Sequence, residues 1–144
     1  MTKKALILAG GTGGHIIPGL AVGKELQQKG FEVEWLGTRA GLEANMVPQA
    51  GLPIHYITVT GLRGKRLSTL LLAPFRLFLA FFQTLKIFRQ VKPDLVVGMG
   101  GFVSGPGGIV AWLKRIPLVL HEQNAVAGTT NRILSRFADV TLEA

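Results

Sequence analysis

Cysteine is missing from this 144-residue chain, which excludes disulfides and thiolate metal sites and is compatible with a reducing compartment. Aspartate is nearly missing. Asp94 and Asp139 are the only two, so there is no Asp-x-Asp metal motif and no Ser-His-Asp constellation to propose. No metal and no cofactor is expected. Between Glu43 and Asp94 there is no acid at all, while Arg63, Lys65, Arg66, Arg76, Lys86, Arg89 and Lys92 fall in that interval. Such asymmetry, within a formal charge of +8, suggests an anionic surface as partner, either nucleic acid or lipid headgroups. A run of only five apolar residues, Ala5–Ala9, follows Met1-Thr2-Lys3-Lys4 before Gly10, short of the roughly 7–15 of a signal-peptide core, so the chain is expected to stay in the cytoplasm.

What is present is a regular alternation. Apolar runs bounded by turn residues predict strands near Ala5–Ala9, Phe31–Leu36, Ile54–Thr58, Asp94–Gly98, Leu118–His121 and Asp139–Leu142. Between them fit helices near His15–Lys29, Leu42–Ala50, Leu67–Val91, Pro106–Lys114 and Ala125–Phe137. Strict βα alternation of this kind predicts an α/β fold: a Rossmann-like parallel sheet with helices on both faces. Gly30 is placed as a helix C-cap, and Pro18 in the first turn of its helix. The length allows one domain, residues 1–144. Ala138–Ala144 reads as the opening of a further strand, so the chain is expected to be part of a longer protein.

Three of these strands run straight into a polar or glycine-rich turn: Gly10-Gly11-Thr12-Gly13-Gly14-His15, Gly98-Met99-Gly100-Gly101-Phe102-Val103-Ser104-Gly105, and His121-Glu122-Gln123-Asn124. Strand exits of an open parallel sheet collect on one edge, where ligands bind. Glycine lets the backbone approach a ligand closely, and a helix start behind it favours an anion. A phosphate-bearing substrate is the first reading. The loops are not a dinucleotide fingerprint, because Ile16 stands where the third glycine would be and no acid follows the second strand. Arg39 leaves a thin case for a 2′-phosphate, hence for an NADP-dependent oxidoreductase domain. No Gly-Lys-Ser/Thr follows a loop, so a P-loop is excluded as well. His15, at the head of a helix, is the candidate base. His55, inside a strand, reads as a packing or surface residue. His121 and Glu122, as neighbours in extended chain, point to opposite sides, so one of them is read as supporting the site from behind. Asn124 can offer a sugar hydroxyl both a donor and an acceptor.

From Leu70 to Phe88, 14 of 19 residues are apolar. On a helical wheel Phe75, Phe78, Leu79, Phe82 and Leu85 form one stripe, with Leu77, Phe81 and Phe88 nearly opposite, so one stripe packs on the sheet and the other needs a second partner. Arg76 breaks the run below the roughly 18–20 residues of a spanning helix. The helix is therefore expected to lie on a membrane through Leu71, Phe75, Phe78, Phe81 and Phe82, with Lys65, Arg66 and Arg76, and Trp112 nearby, at the headgroups. Burial against a second domain is the alternative. Nucleic acid is disfavoured, because the aromatics cluster on an aliphatic helix instead of interleaving with bases on strands.

Taken together, the three turns, the Ile16-Ile17-Pro18-Gly19-Leu20-Ala21 continuation of the first and Gly61-Leu62-Arg63-Gly64-Lys65 closely resemble the bacterial MurG family of peptidoglycan N-acetylglucosaminyltransferases. The resemblance covers essentially the whole chain but only the amino-terminal half of the family's two-domain glycosyltransferase B (GT-B) architecture. It implies an acceptor-binding domain here and a donor-binding domain absent from this chain. It also implies transfer from UDP-GlcNAc to the 4-hydroxyl of undecaprenyl-diphospho-muramoyl-pentapeptide with inversion, at the cytoplasmic face of the inner membrane. By the same resemblance His15 would be the base, and Thr12, Gly13, Gly14 and Asn124 would border UDP-GlcNAc. Gly13, Gly14, Gly100, Gly101, Phe102 and Ser104 would hold the acceptor diphosphate. A non-catalytic module that binds an anionic lipid headgroup at the membrane surface is the competing reading.

Overall fold

The computed structural model describes residues 2–11, 13–59, 67–122 and 128–143. Thr12, Lys65, Arg66 and Asn124 lie outside them. In chain order the elements are β1 (Lys4–Leu8), α1 (Gly13–Gln28), β2 (Glu32–Gly37), α2 (Glu43–Gln49), β3 (Ile54–Tyr56), α3 (Leu67–Val91), β4 (Leu95–Gly98), α4 (Ser104–Leu113), β5 (Leu118–Glu122), α5 (Thr129–Leu134) and β6 (Val140–Glu143). The strands form one sheet of order β3-β2-β1-β4-β5-β6, parallel at every pairing. This is the expected Rossmann-like sheet, and the chain direction across it reverses between β1 and β4.

Alternation along the strands divides the core in two. Leu6, Leu8, Leu36, Val96, Leu118 and Leu120 pack on Ile87, Phe88 and Val91 of α3, Val110 and Ala111 of α4, and Leu134 of α5. Ala5, Ile7, Val33, Trp35 and Val97 pack on Ile16 of α1 and Val47 of α2. Both aspartates are structural. Asp94 accepts the Lys4 N–H at 2.8 Å and Asp139 the Leu118 N–H at 2.8 Å, so each ties the entry of a neighbouring strand, at the edge opposite the glycine loops.

Helix boundaries differ from the sequence expectation where glycine is used for packing. Helix α1 starts at Gly13, two residues early, which puts Pro18 inside the helix and not in its first turn. Gly30 does end α1, with φ of 94° and hydrogen bonds from Gly30 N–H to Gln27 O and from Phe31 N–H to Leu26 O. Helix α4 starts at Ser104 despite four glycines and prolines in five residues. A Cβ at Gly107 would stand 2.6 Å from Leu8 and one at Gly108 2.8 Å from Leu134, so close approach to sheet and helix outweighs helix propensity. Helix α5 is shorter than expected, its described part ending at Leu134.

The long helix α3 keeps the wheel's main division, with Phe75, Phe78, Leu79 and Phe82 outward and Phe88 inward. Ala73, Ala80, Thr84, Ile87, Phe88 and Val91 are buried, whereas Leu71, Leu72, Phe75, Phe78 and Phe82 are exposed, Phe75 at 82%. Phe81 is half-buried against the core and is removed from the expected docking face. Trp112 is removed as well. It ends α4 at the strand-entry edge, its ring 5.0 Å from that of Phe137, whereas Leu71–Phe82 occupies the half of α3 that follows the strand exits. Leu71–Val91 is, by length and composition, long and apolar enough to cross a membrane, contrary to the reading from Arg76. Its inner face is nonetheless packed on the sheet.

Gly19 lets α1 settle onto the sheet, since a Cβ there would lie 2.6 Å from the Trp35 ring. Gly19→Ala is expected to destabilise the domain by about 1–3 kcal/mol, read as a lower urea midpoint with unchanged m-value.

Candidate active site at the glycine loops

The loops leaving β1 and β4 touch. Gly11, Gly100 and Gly101 have φ of 99°, 106° and 83°, values that favour glycine, and a Cβ on Gly101 would lie 2.7 Å from the Gly10 carbonyl oxygen. His15 bridges the pair: its Nδ1 is 3.1 Å from the Met99 carbonyl. A carbonyl only accepts, so Nδ1 carries the proton in the neutral ring and the lone pair is on Nε2. Gly100 is required beneath the ring, because a Cβ there would lie 2.9 Å from His15 Cε1 and 3.6 Å from Asn131 Nδ2.

Around this junction is a crevice of about 310 Å³ lined by His15, Gly100, Gly101, Phe102, Glu122 and Asn131, with Gly128 and Thr130. A larger hollow, about 470 Å³, lies between Trp112, Arg115, Pro117, Phe137 and Asp139. It is at the strand-entry edge and holds none of the loop residues, so the smaller crevice is the candidate site.

Two expected phosphate contacts need correction. Ser104 is fully buried; its Oγ accepts the Gly100 N–H at 3.1 Å and lies 2.9 Å from Gly100 O and 3.2 Å from Leu8 O. The Ser104 hydroxyl and the Gly100 N–H thus hold the second loop in shape and are not presented to the crevice. Phe102 is exposed at the rim. Glu122, not His121, is the supporting member of its pair. It is buried and Oε2 accepts from Gly128 N–H and Asn131 Nδ2, both at 3.0 Å. His55 pairs with Glu34 at 2.9 Å, and the Arg39 guanidinium stacks 4.4 Å above the Tyr56 ring.

Residues 5–142 match the glycosyltransferase family 28 N-terminal domain. The chain belongs to that family. This family 28 domain is 57% identical over its whole length to the UDP-N-acetylglucosamine–N-acetylmuramyl-(pentapeptide) pyrophosphoryl-undecaprenol N-acetylglucosamine transferase of Pseudomonas syringae pv. tomato, covering 40% of it. It is 56% identical to the protein of the same name from Glaesserella parasuis, covering 100% of the chain and 41% of the relative. The crystal structure of Acinetobacter baumannii MurG superposes with a TM-score of 0.87 at 46% identity, over 99% of this chain and 41% of that one. The family 28 domain therefore spans about two-fifths of the length of these relatives.

Sequence reasoning missed Glu43, which reads as an ordinary acid in the first turn of α2. Its side chain is fully buried, accepting from Gly11 N–H at 3.1 Å, Thr38 N–H at 2.7 Å and the Thr38 hydroxyl at 2.9 Å. The only trace in the sequence is the glycine at 37 and 41, where any Cβ would strike the carboxylate. Asn131 was missed too; nothing distinguishes it in a helix written Thr-Thr-Asn-Arg.

Glu43→Ala leaves three donors without an acceptor and is expected to cost more than about 3 kcal/mol in chemical denaturation. Glu43→Gln keeps one accepting oxygen and sets an NH₂ against the other donors, for a loss of about 1–3 kcal/mol.

Proposed function

We propose that this chain is the acceptor-binding, amino-terminal part of a hexosyltransferase of peptidoglycan synthesis. The reaction is transfer of N-acetylglucosamine from UDP-N-acetylglucosamine to the 4-hydroxyl of undecaprenyl-diphospho-muramoyl-pentapeptide, with inversion. The observation that carries this reading is 57% identity across the entire chain to a relative named for that transfer. The loop geometry supports it. With Nδ1–H given to Met99 O, Nε2 of His15 takes the proton of the 4-hydroxyl as that oxygen attacks the anomeric carbon. The bond from that carbon to UDP breaks, and UDP leaves with its electron pair. A β-1,4 link results.

The helix starts of α1 and α4 face the acceptor diphosphate, with backbone at Gly13, Gly14 and Gly101 and the Phe102 ring at the rim. Thr12, Gly13 and Gly14 border UDP-N-acetylglucosamine, and Asn124 meets the donor sugar from this side. The rest of the donor site is assigned to the part of the full-length relatives outside the two-fifths matched by these residues, and these residues alone are expected not to transfer. The test is transfer of labelled N-acetylglucosamine by the full-length gene product, by this chain and by full-length His15→Ala. Transfer by the full-length protein alone, reduced about 10²–10⁴-fold by the substitution, is expected. Transfer undiminished in the variant would discard the base. No transfer by a folded full-length protein would leave a lipid-headgroup-binding module.

The same reading places the domain at the cytoplasmic face of the inner membrane. Leu71, Phe75, Phe78 and Phe82 form an exposed apolar face on α3, in a chain of formal charge +8, which suits an anionic bilayer. Burying a phenylalanine contributes about 1.5–3 kcal/mol. Phe75→Ser with Phe78→Ser is therefore expected to lower co-sedimentation with phosphatidylglycerol vesicles at least about tenfold, while Phe81→Ser acts on folding.

A further inference from the structure

Among the described residues of the crevice, Asn131 is the side chain whose hydrogen bonding does not close. It is 4% exposed. Its Nδ2 donates to Glu122 Oε2 at 3.0 Å and lies 3.4 Å from the His121 carbonyl oxygen. The carboxylate fixes which way the amide faces: turned over, Oδ1 would meet an acceptor that has no proton to give. Oδ1 is thereby held away from Glu122, buried and without a hydrogen-bond partner among the described residues. A buried acceptor in that state carries the full desolvation penalty of the group, so its persistence calls for a partner that arrives with a ligand.

The position says which ligand. The Asn131 amide and the His15 ring stand over the same residue, since a Cβ on Gly100 would lie 3.6 Å from Asn131 Nδ2 and 2.9 Å from His15 Cε1, and both side chains line the crevice. The unpartnered atom of Asn131 is neutral and accepting, and Glu122 holds the Nδ2 of the same amide. An amide oxygen suits an N–H or O–H, and with the Glu122 carboxylate lining the same crevice it disfavours phosphate. The diphosphate is then confined to the glycine-loop end of the crevice and a sugar ring to the α5 end. Movements of up to about 1 Å are usual on binding, enough to bring a ring substituent against Oδ1.

We propose that Asn131 Oδ1 accepts a hydrogen bond from the acceptor sugar, from its C2 amide N–H or its C6 hydroxyl, and so orients the 4-hydroxyl toward His15. This rests on the transferase reading above. The test uses the full-length gene product with the natural acceptor, a 6-deoxy acceptor and one carrying 2-O-acetyl in place of the acetamido group, in wild type and Asn131→Ala. One analogue is expected to lose about tenfold or more in kcat/KM with wild type. Asn131→Ala is expected to raise the KM for the natural acceptor similarly, to leave that for UDP-N-acetylglucosamine within about twofold, and to accept the analogue as well as the parent. Undiminished transfer to both analogues by wild type overturns the proposal, whatever the folding of the variant. So does a variant that still discriminates the analogue, or one whose loss falls on UDP-N-acetylglucosamine instead. Absence of transfer by wild type to the natural acceptor would strike the transferase reading itself.

Discussion

The carboxylate of Glu43 is the constraint on which the ligand edge of this domain depends. It is fully buried, and taking an ionised group out of water costs several kcal/mol unless hydrogen bonds compensate. Here they come from Gly11 and Thr38, residues of two different strand-exit loops. The carboxylate thus ties the loop after β1 to the loop after β2. Space for it exists only because Gly10, Gly37 and Gly41 have no side chain. Some of the glycine in this chain therefore serves the protein's own anion and not a ligand's.

A matching device holds the other loop. The Ser104 hydroxyl, under Gly100 and against Leu8 O, fixes the turn after β4 onto β1, and Met99 N–H donates to Leu8 O at 2.9 Å. With both turns fixed, the Met99 carbonyl is set where it meets His15 Nδ1. The tautomer that a base requires follows from backbone geometry. Glu122 then braces the third loop through Gly128 and Asn131. Of the two buried acids, Glu43 braces the loops from behind and Glu122 lines the crevice.

Helix α3 divides its apolar residues between two jobs. Small and medium side chains, Ala73, Ala80, Thr84 and Ile87, are buried along with Phe88, while the large Phe75, Phe78 and Phe82 face outward. Burying large exposed rings elsewhere offsets the cost of displaying them in water, which suits a face that meets a membrane. The rings also pair along the helix, Phe78 with Phe82 at 6.3 Å, so the face is a continuous surface.

Much of this architecture was legible in the sequence. Apolar runs separated by helical lengths specify a parallel sheet, and strand exits in such a sheet share one edge, so the glycine turns and His15 had to gather there. Local chemistry suffices for that, because burial on both faces of a strand and cheap positive φ at glycine are properties of a few adjacent residues. The tertiary structure decided what depends on partners distant in the chain. It assigned Gly100 N–H and Ser104 to the loop itself, turned Phe81 inward and Phe75 outward, and separated Trp112 from that face. It also made acceptors of Glu43 and Glu122 and left Asn131 Oδ1 without a donor. These follow from which atoms are brought within about 3 Å of one another by folding, and spacing along a chain does not encode that distance.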